Sequence, residues 1–84
     1  MRIDKYLKVT RIIKRRVIAK ELSVNNRLLV NNKKVKASYE IKLDDHITIL
    51  FGNHTLNIKV LQIKEYTTKE NAYQLFEIIE DNNN

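Results

Sequence analysis

Apolar positions along the chain recur first at helical and then at alternating spacing. Over residues 3–12, Ile3, Tyr6 and Leu7 lie three and four positions apart, the period of one helix face, with Lys5 and Lys8 on the opposite side. A second helix is predicted over 15–23, where Ile18, Ala19 and Leu22 share a face while Arg16 and Lys20 stand one turn apart on a solvent face. On that wheel Arg15 falls with the apolar group, so its stem is expected to run along the core and its charge to reach water. Asn25-Asn26 should end the helix, because Asn tolerates the left-handed backbone used at helix C-termini.

Beyond residue 26 the pattern shortens to strands. Residues 28–30 and 33–36 are predicted to form a hairpin closed by Asn31-Asn32, a weaker version of the Asn-Gly turn that works by the same left-handed tolerance. Asp44-Asp45 marks a turn before a strand over 46–51, and Gly52-Asn53 marks another before a strand over 55–63. Thr67 and Glu70 have the spacing of a capping box for a short helix. The run 75–79 either finishes that helix or forms a strand, with the strand favoured. Residues 81–84, acidic and Asn-rich, read as a flexible tail. Two helices followed by strands within a single domain over 1–80 predict an α+β fold. Two short N-terminal helices would pack on a small, mainly antiparallel sheet, with a short C-terminal helix or strand.

The 84 residues accommodate one domain. A domain so short buries only about 60% of the surface its unfolded chain exposes, which leaves room for one small core and a recognition surface. Without Cys there is neither a disulfide framework nor a thiolate metal site. His46 and His54 lack companion ligands in the sequence, so neither a metal nor a cofactor is expected. Asp44 and Asp45 read as turn chemistry rather than an acid–base pair. No Ser/His/Asp arrangement, phosphate loop or dinucleotide fingerprint is present, and the expectation is a protein that is not an enzyme. No apolar run reaches the roughly 18 residues of a membrane span. The charged first 16 residues lack an apolar signal segment, which points to a cytoplasmic protein that stays off membranes.

Charge changes the picture because it is uneven. Residues 1–42 carry thirteen Lys and Arg against three acids, net +10, and residues 43–84 carry three Lys against seven acids, net −4. Such a division argues for a directed electrostatic surface. The candidate phosphate-binding residues are Arg2, Lys5, Lys8, Arg11, Lys14, Arg15, Arg16 and Lys20 on the two helices, extended by Lys33, Lys34 and Lys36 on the hairpin. Guanidinium adds a planar fork that fits phosphate oxygens. Side chains alternate along a strand, so the three hairpin lysines are not all expected to face one ligand. Of the tyrosines, Tyr6, Tyr66 and Tyr73 read as core or boundary residues. Tyr39, between Lys36 and Lys42, is the candidate for base stacking.

The order of these pieces resembles the S4-type RNA-binding domain. The opening is Arg2-Ile3-Asp4-Lys5-Tyr6-Leu7, the second helix Arg16-Val17-Ile18-Ala19-Lys20-Glu21-Leu22, and the hairpin Leu28-Leu29-Val30-Asn31-Asn32. Asp44-Asp45 takes the last turn, so the resemblance covers roughly residues 1–51. Asn26, Asn32 and Asp44 stand where the family usually has Gly, and Lys14 where it often has a Ser or Thr helix cap. The first sixteen residues, Phe51-Gly52 and Thr67-Thr68-Lys69-Glu70 are similar to the RqcP family of short stand-alone members, related to heat-shock protein fifteen. The resemblance implies a factor that binds large-subunit rRNA and peptidyl-tRNA on obstructed large ribosomal subunits. Its implied partner is an RqcH-type tailing factor, in support of C-terminal alanine tailing. A monomer is expected, and the alternative is a general rRNA-binding protein of the heat-shock protein fifteen type.

Overall fold

The computed structural model describes residues 1–83. Helix α1 (Ile3–Val9) and helix α2 (Arg16–Val24) precede a five-stranded antiparallel sheet. Its strands are β1 (Leu28–Val30), β2 (Lys33–Lys34), β3 (His46–Leu50), β4 (His54–Val60) and β5 (Phe76–Asn83), in the order β2-β1-β3-β4-β5. Ile3, Tyr6, Leu7 and Ala19 from the helices join Leu28, Ile47, Ile49, Ile58 and Val60 from the strands in one core. The expected α+β arrangement is therefore found, with the acidic half of the chain building β3 to β5 and the basic half the helices and the hairpin.

Three of the turns stand on left-handed backbone at Asn or Asp. Asn26 ends α2 at φ 60°, Asn31 and Asn32 close the β1–β2 hairpin at 51° and 68°, and Asp44 precedes β3 at 71°. These short polar residues occupy such backbone routinely, so the fold needs no Gly there. Asp45 is buried and fully engaged. Its carboxylate accepts hydrogen bonds from Asn31 Nδ2 at 3.1 Å and Lys42 N at 2.8 Å, which makes it the turn residue the sequence suggests.

Three expectations are corrected. The helix over 3–12 stops at Val9, because the Thr10 hydroxyl bonds back to Leu7 O at 2.9 Å and Arg11 turns left-handed at φ 67°. Arg15 is not over the apolar face. It is the extended N-cap of α2 (φ −137°, ψ 143°), outside the helical wheel and exposed, and its side chain makes no cap hydrogen bond. The capping box at Thr67 and Glu70 does not form. Thr68 Oγ1 instead accepts from Asn71 N at 3.2 Å, ahead of a single 3-10 turn, Ala72–Leu75.

The C-terminal run becomes edge strand β5, paired with β4 from Val60 opposite Phe76 to His54 opposite Asn83, with an irregularity at Asn57/Ile58. β4 is seven residues long and offers an open edge, so residues 81–83 of the expected tail pair with it, and only Asn84 lies outside the described residues.

The uncapped start of α2 gives a first prediction. Ser at an N-cap accepts from an otherwise unpaired helix N–H, so Arg15→Ser should raise stability by roughly 0.5–1 kcal/mol, a few degrees in Tm. Thermal unfolding followed by circular dichroism checks it. A fall in Tm would mean that the Arg15 stem packs on the core after all.

Candidate nucleic-acid interface

Asp4 organises the basic surface. It lies in the first turn of α1, is 5% exposed, and its Oδ1 accepts from Lys5 N at 2.7 Å. Its Oδ2 also accepts from Arg2 Nη2 at 3.0 Å, and its Oδ1 from Arg16 Nη2 at 3.2 Å. Both arginine side chains stay about half exposed, so each guanidinium has one side fixed by the carboxylate and donors left over for a ligand. Arg16 is thus not a free solvent-facing partner of Lys20, as the helical wheel suggests. It is tied to a buried acid twelve residues earlier.

Three concave regions adjoin one another along this surface, two of them at the node. The first, about 290 Å³, lies between α1, the start of α2 and the 61–71 loop, and is lined by Lys5, Lys8, Val9, Arg11, Arg16, Glu65, Tyr66 and Thr67. The second, about 490 Å³, is lined by Arg2, Lys20, Ser23, Val24, Lys36, Ala37 and Ser38. The third, about 580 Å³, is lined by the hairpin residues Lys33, Lys34 and Lys36 together with Tyr39 and their neighbours. Lys36 belongs to the second and third, and Arg2 and Arg16 join the second to the first across Asp4. The result is one continuous basic face. All three hairpin lysines border the same cleft, Lys33 and Lys34 as neighbours in β2 and Lys36 in the irregular backbone that follows it.

Backbone bonds set the relative position of these walls. Ile3 N donates to Tyr39 O at 2.7 Å, Asp4 N to Ala37 O at 3.2 Å and Ile41 N to Met1 O at 2.9 Å. The N-terminal ammonium adds an ion pair with Glu40 at 3.1 Å. The start of α1 is thereby pinned to the 37–41 segment. At the other side the buried Tyr6 hydroxyl donates to Leu75 O at 2.6 Å, and Leu61 N and Gln62 N donate to the same carbonyl at 2.9 and 3.0 Å. Burial pushes the Tyr6 phenol well above its usual range, so it remains a neutral donor. This junction brings the 61–71 loop against α1, where Lys5 pairs with Glu65 and Arg11 Nη2 donates to Thr67 O at 3.5 Å. The Lys5 hydrogen bond and charge hold the Glu65 carboxyl below the ordinary carboxylate range.

Of the sequence-derived candidates, Arg2, Lys5, Lys8, Arg11, Arg16, Lys20, Lys33, Lys34 and Lys36 line the three clefts. Lys14 and Arg15 are exposed and line none of them. Tyr6 is core, as expected. Tyr39 is half-buried against the core and shows its remainder to the third cleft. Tyr66 and Tyr73 are not core residues, being 78% and 67% exposed. Two further residues belong to this face and are not legible from net charge: Asp4, which pairs with Arg2 and Arg16, and Tyr66, which lines the first cleft. An acid among cations reads as dilution, yet its place two residues after Arg2 and one before Lys5 was a visible signal. Among the described residues no cluster of His, Asp or Glu could hold a metal ion, and no helix is long and apolar enough to cross a membrane.

Comparison with known proteins agrees with this geometry. Residues 1–47 match the family model for the S4 domain. A protein of Streptococcus pneumoniae named RQC P-site tRNA stabilizing factor is 49% identical over 81 residues, covering 96% of this chain and 92% of that protein. The protein of the same name from Bacillus subtilis is 40% identical over 81 residues, covering 96% and 94%. The fold is similar to that of heat shock protein 15 from Vibrio cholerae, solved as a trimer, with TM-score 0.85 at 24% identity over 93% of this chain and 80% of that one.

Proposed function

The chain belongs to the S4-domain family, and from that membership and its basic face we propose that it is an RNA-binding factor stabilising a P-site tRNA in ribosome-associated quality control. The observation that carries the reading is the continuity of the three basic clefts across the Asp4 node, on a chain nearly co-extensive with relatives bearing that name. On this reading the face contacts large-subunit rRNA and peptidyl-tRNA together in the cytoplasm, with no chemical step of its own. Lys33, Lys34 and Lys36 grip one phosphate run, and Arg2, Lys5, Lys8, Arg11, Arg16 and Lys20 the other. The tRNA position so held supports alanine tailing by an RqcH-type factor, and the protein works as a monomer.

Two contacts on one small body reinforce each other, because once the first forms the second is effectively intramolecular. The tagged protein should therefore recover large subunits that retain peptidyl-tRNA and few that are empty. The measurement is tRNA per large subunit in the pull-down against that in the input. Equal ratios would sink the quality-control reading and leave a general rRNA-binding protein of the heat-shock protein fifteen type.

A further inference from the structure

We propose that the cleft between α1 and the 61–71 loop is a site for one unpaired RNA nucleotide, with Tyr66 as the stacking platform for its base. The proposal rests on the RNA-binding reading above and adds to it a ligand form and a residue.

Tyr66 is 78% exposed, yet the residues on both sides of it are tethered. Glu65 is paired to Lys5 of α1, and Thr67 O accepts from Arg11, two residues past the end of α1. The loop itself is anchored at the Leu75 carbonyl, which accepts from Leu61, Gln62 and Tyr6. An exposed aromatic side chain on backbone tethered at both neighbours is a partly preorganised surface, because the backbone's share of the ordering cost is met before a ligand arrives.

The facing wall supplies the complementary chemistry. Lys8, Arg11 and Arg16 line the same cleft and offer donors to a phosphate, while Tyr66 offers a π-face that accepts any base. The wall next to Tyr66 carries Glu65 paired to Lys5, a pair with no net charge to draw a phosphate there. The polarity of the cleft thus sets the nucleotide's direction, with phosphate towards α1 and α2 and base towards the loop. The cleft, about 290 Å³, lies just below the roughly 300–1,000 Å³ of ordinary small-ligand pockets, a size for one nucleotide rather than a run of bases. A base paired within a duplex cannot present its face to the ring, so the ligand must be a bulged, looped or flipped nucleotide.

The test uses the full chain and two RNA hairpins of the same stem, one fully paired and one with a single bulged 2-aminopurine. Stacking on Tyr66 should quench the 2-aminopurine fluorescence, and the bulged hairpin should bind more tightly than the paired one. Tyr66→Ala should abolish the quenching and weaken binding of the bulged hairpin by about fivefold or more, with the paired hairpin unaffected. Tyr66→Phe keeps the ring and should restore both signals. Both variants alter an exposed side chain, so the fold is retained, which circular dichroism verifies. Equal loss on both hairpins, or quenching that survives Tyr66→Ala, would overturn the nucleotide site while leaving RNA binding in place. Failure of the unmodified protein to bind either hairpin would overturn the RNA-binding reading together with the site.

Discussion

Asp4→Asn should weaken RNA binding although it raises the net charge from +6 to +7. Asp4 is the buried acceptor that holds Arg2 and Arg16 in one array, and Asn presents one carbonyl and a donor where the carboxylate presents two oxygens. The carbonyl can still serve Lys5 N, but the amide N–H groups then face a guanidinium. Freed from their shared acceptor, the two arginines sample more rotamers, and each must be ordered again when phosphate binds.

Two accounts of the basic face differ here in sign. If only summed charge matters, removing an acid strengthens binding to RNA. If position matters, the loss of preorganisation outweighs the added charge, and affinity falls about threefold to tenfold, on the order of one ordinary hydrogen bond. Glu21→Gln makes the same change of charge at an exposed residue outside the three clefts, so it should bind slightly tighter. Filter binding of both variants to one rRNA fragment at fixed salt separates the accounts. Stability moves as well. Because both guanidiniums are about half exposed, the ion pairs are discounted for solvent, and Asp4→Asn should cost about 1–2 kcal/mol. Tighter binding by Asp4→Asn would reduce Asp4 to a structural acid with no part in the interface.

The parts of the fold written in local sequence were readable without coordinates. Ile3, Tyr6 and Leu7 mark the buried face of α1, and Asn31-Asn32 mark the hairpin, because period and turn tolerance depend only on near neighbours. The strand order and the closed basic face were not legible in this way. Arg16 meets Asp4 across twelve positions and Glu65 meets Lys5 across sixty, so no window of sequence contains either pair. Tyr66 looked like a boundary residue because an exposed tyrosine and a half-buried one have the same neighbours in sequence. Arg15 was misplaced for a different reason. The wheel is meaningful only inside the helix, and α2 starts one residue later. In the same way the Asn-rich end of the chain has weak strand propensity, and what makes 81–83 a strand is the open edge of β4 beside it.

Salt should weaken RNA binding by orders of magnitude, and the size of the effect identifies which cations are used. Neutralising four to six phosphates releases condensed counterions, so log affinity against log salt should slope by roughly −3 to −5. Between 50 and 200 mM salt that is about a 60- to 1,000-fold loss. The structure divides the cations into those already committed and those free to act. Arg2 and Arg16 share Asp4 and Lys5 holds Glu65, so part of their charge is balanced before RNA arrives. Lys8, Lys20, Lys33, Lys34 and Lys36 line the clefts with no ion pair among the described residues. The hairpin is the cleanest place to test them. Replacing Lys33 and Lys34 together by Gln should make the slope shallower by roughly 1.4–1.8, two contacts at about 0.7–0.9 each. Replacing Lys14, exposed but outside every cleft, should lower the slope by far less than one contact, since only a phosphate seated beside a cation loses its counterion to it. Titrations of one rRNA fragment at four salt concentrations give all three slopes. Equal changes for Lys14 and for each hairpin lysine would mean that the protein attracts RNA by diffuse charge and not by a shaped face. A wild-type slope near zero would remove the electrostatic mechanism altogether.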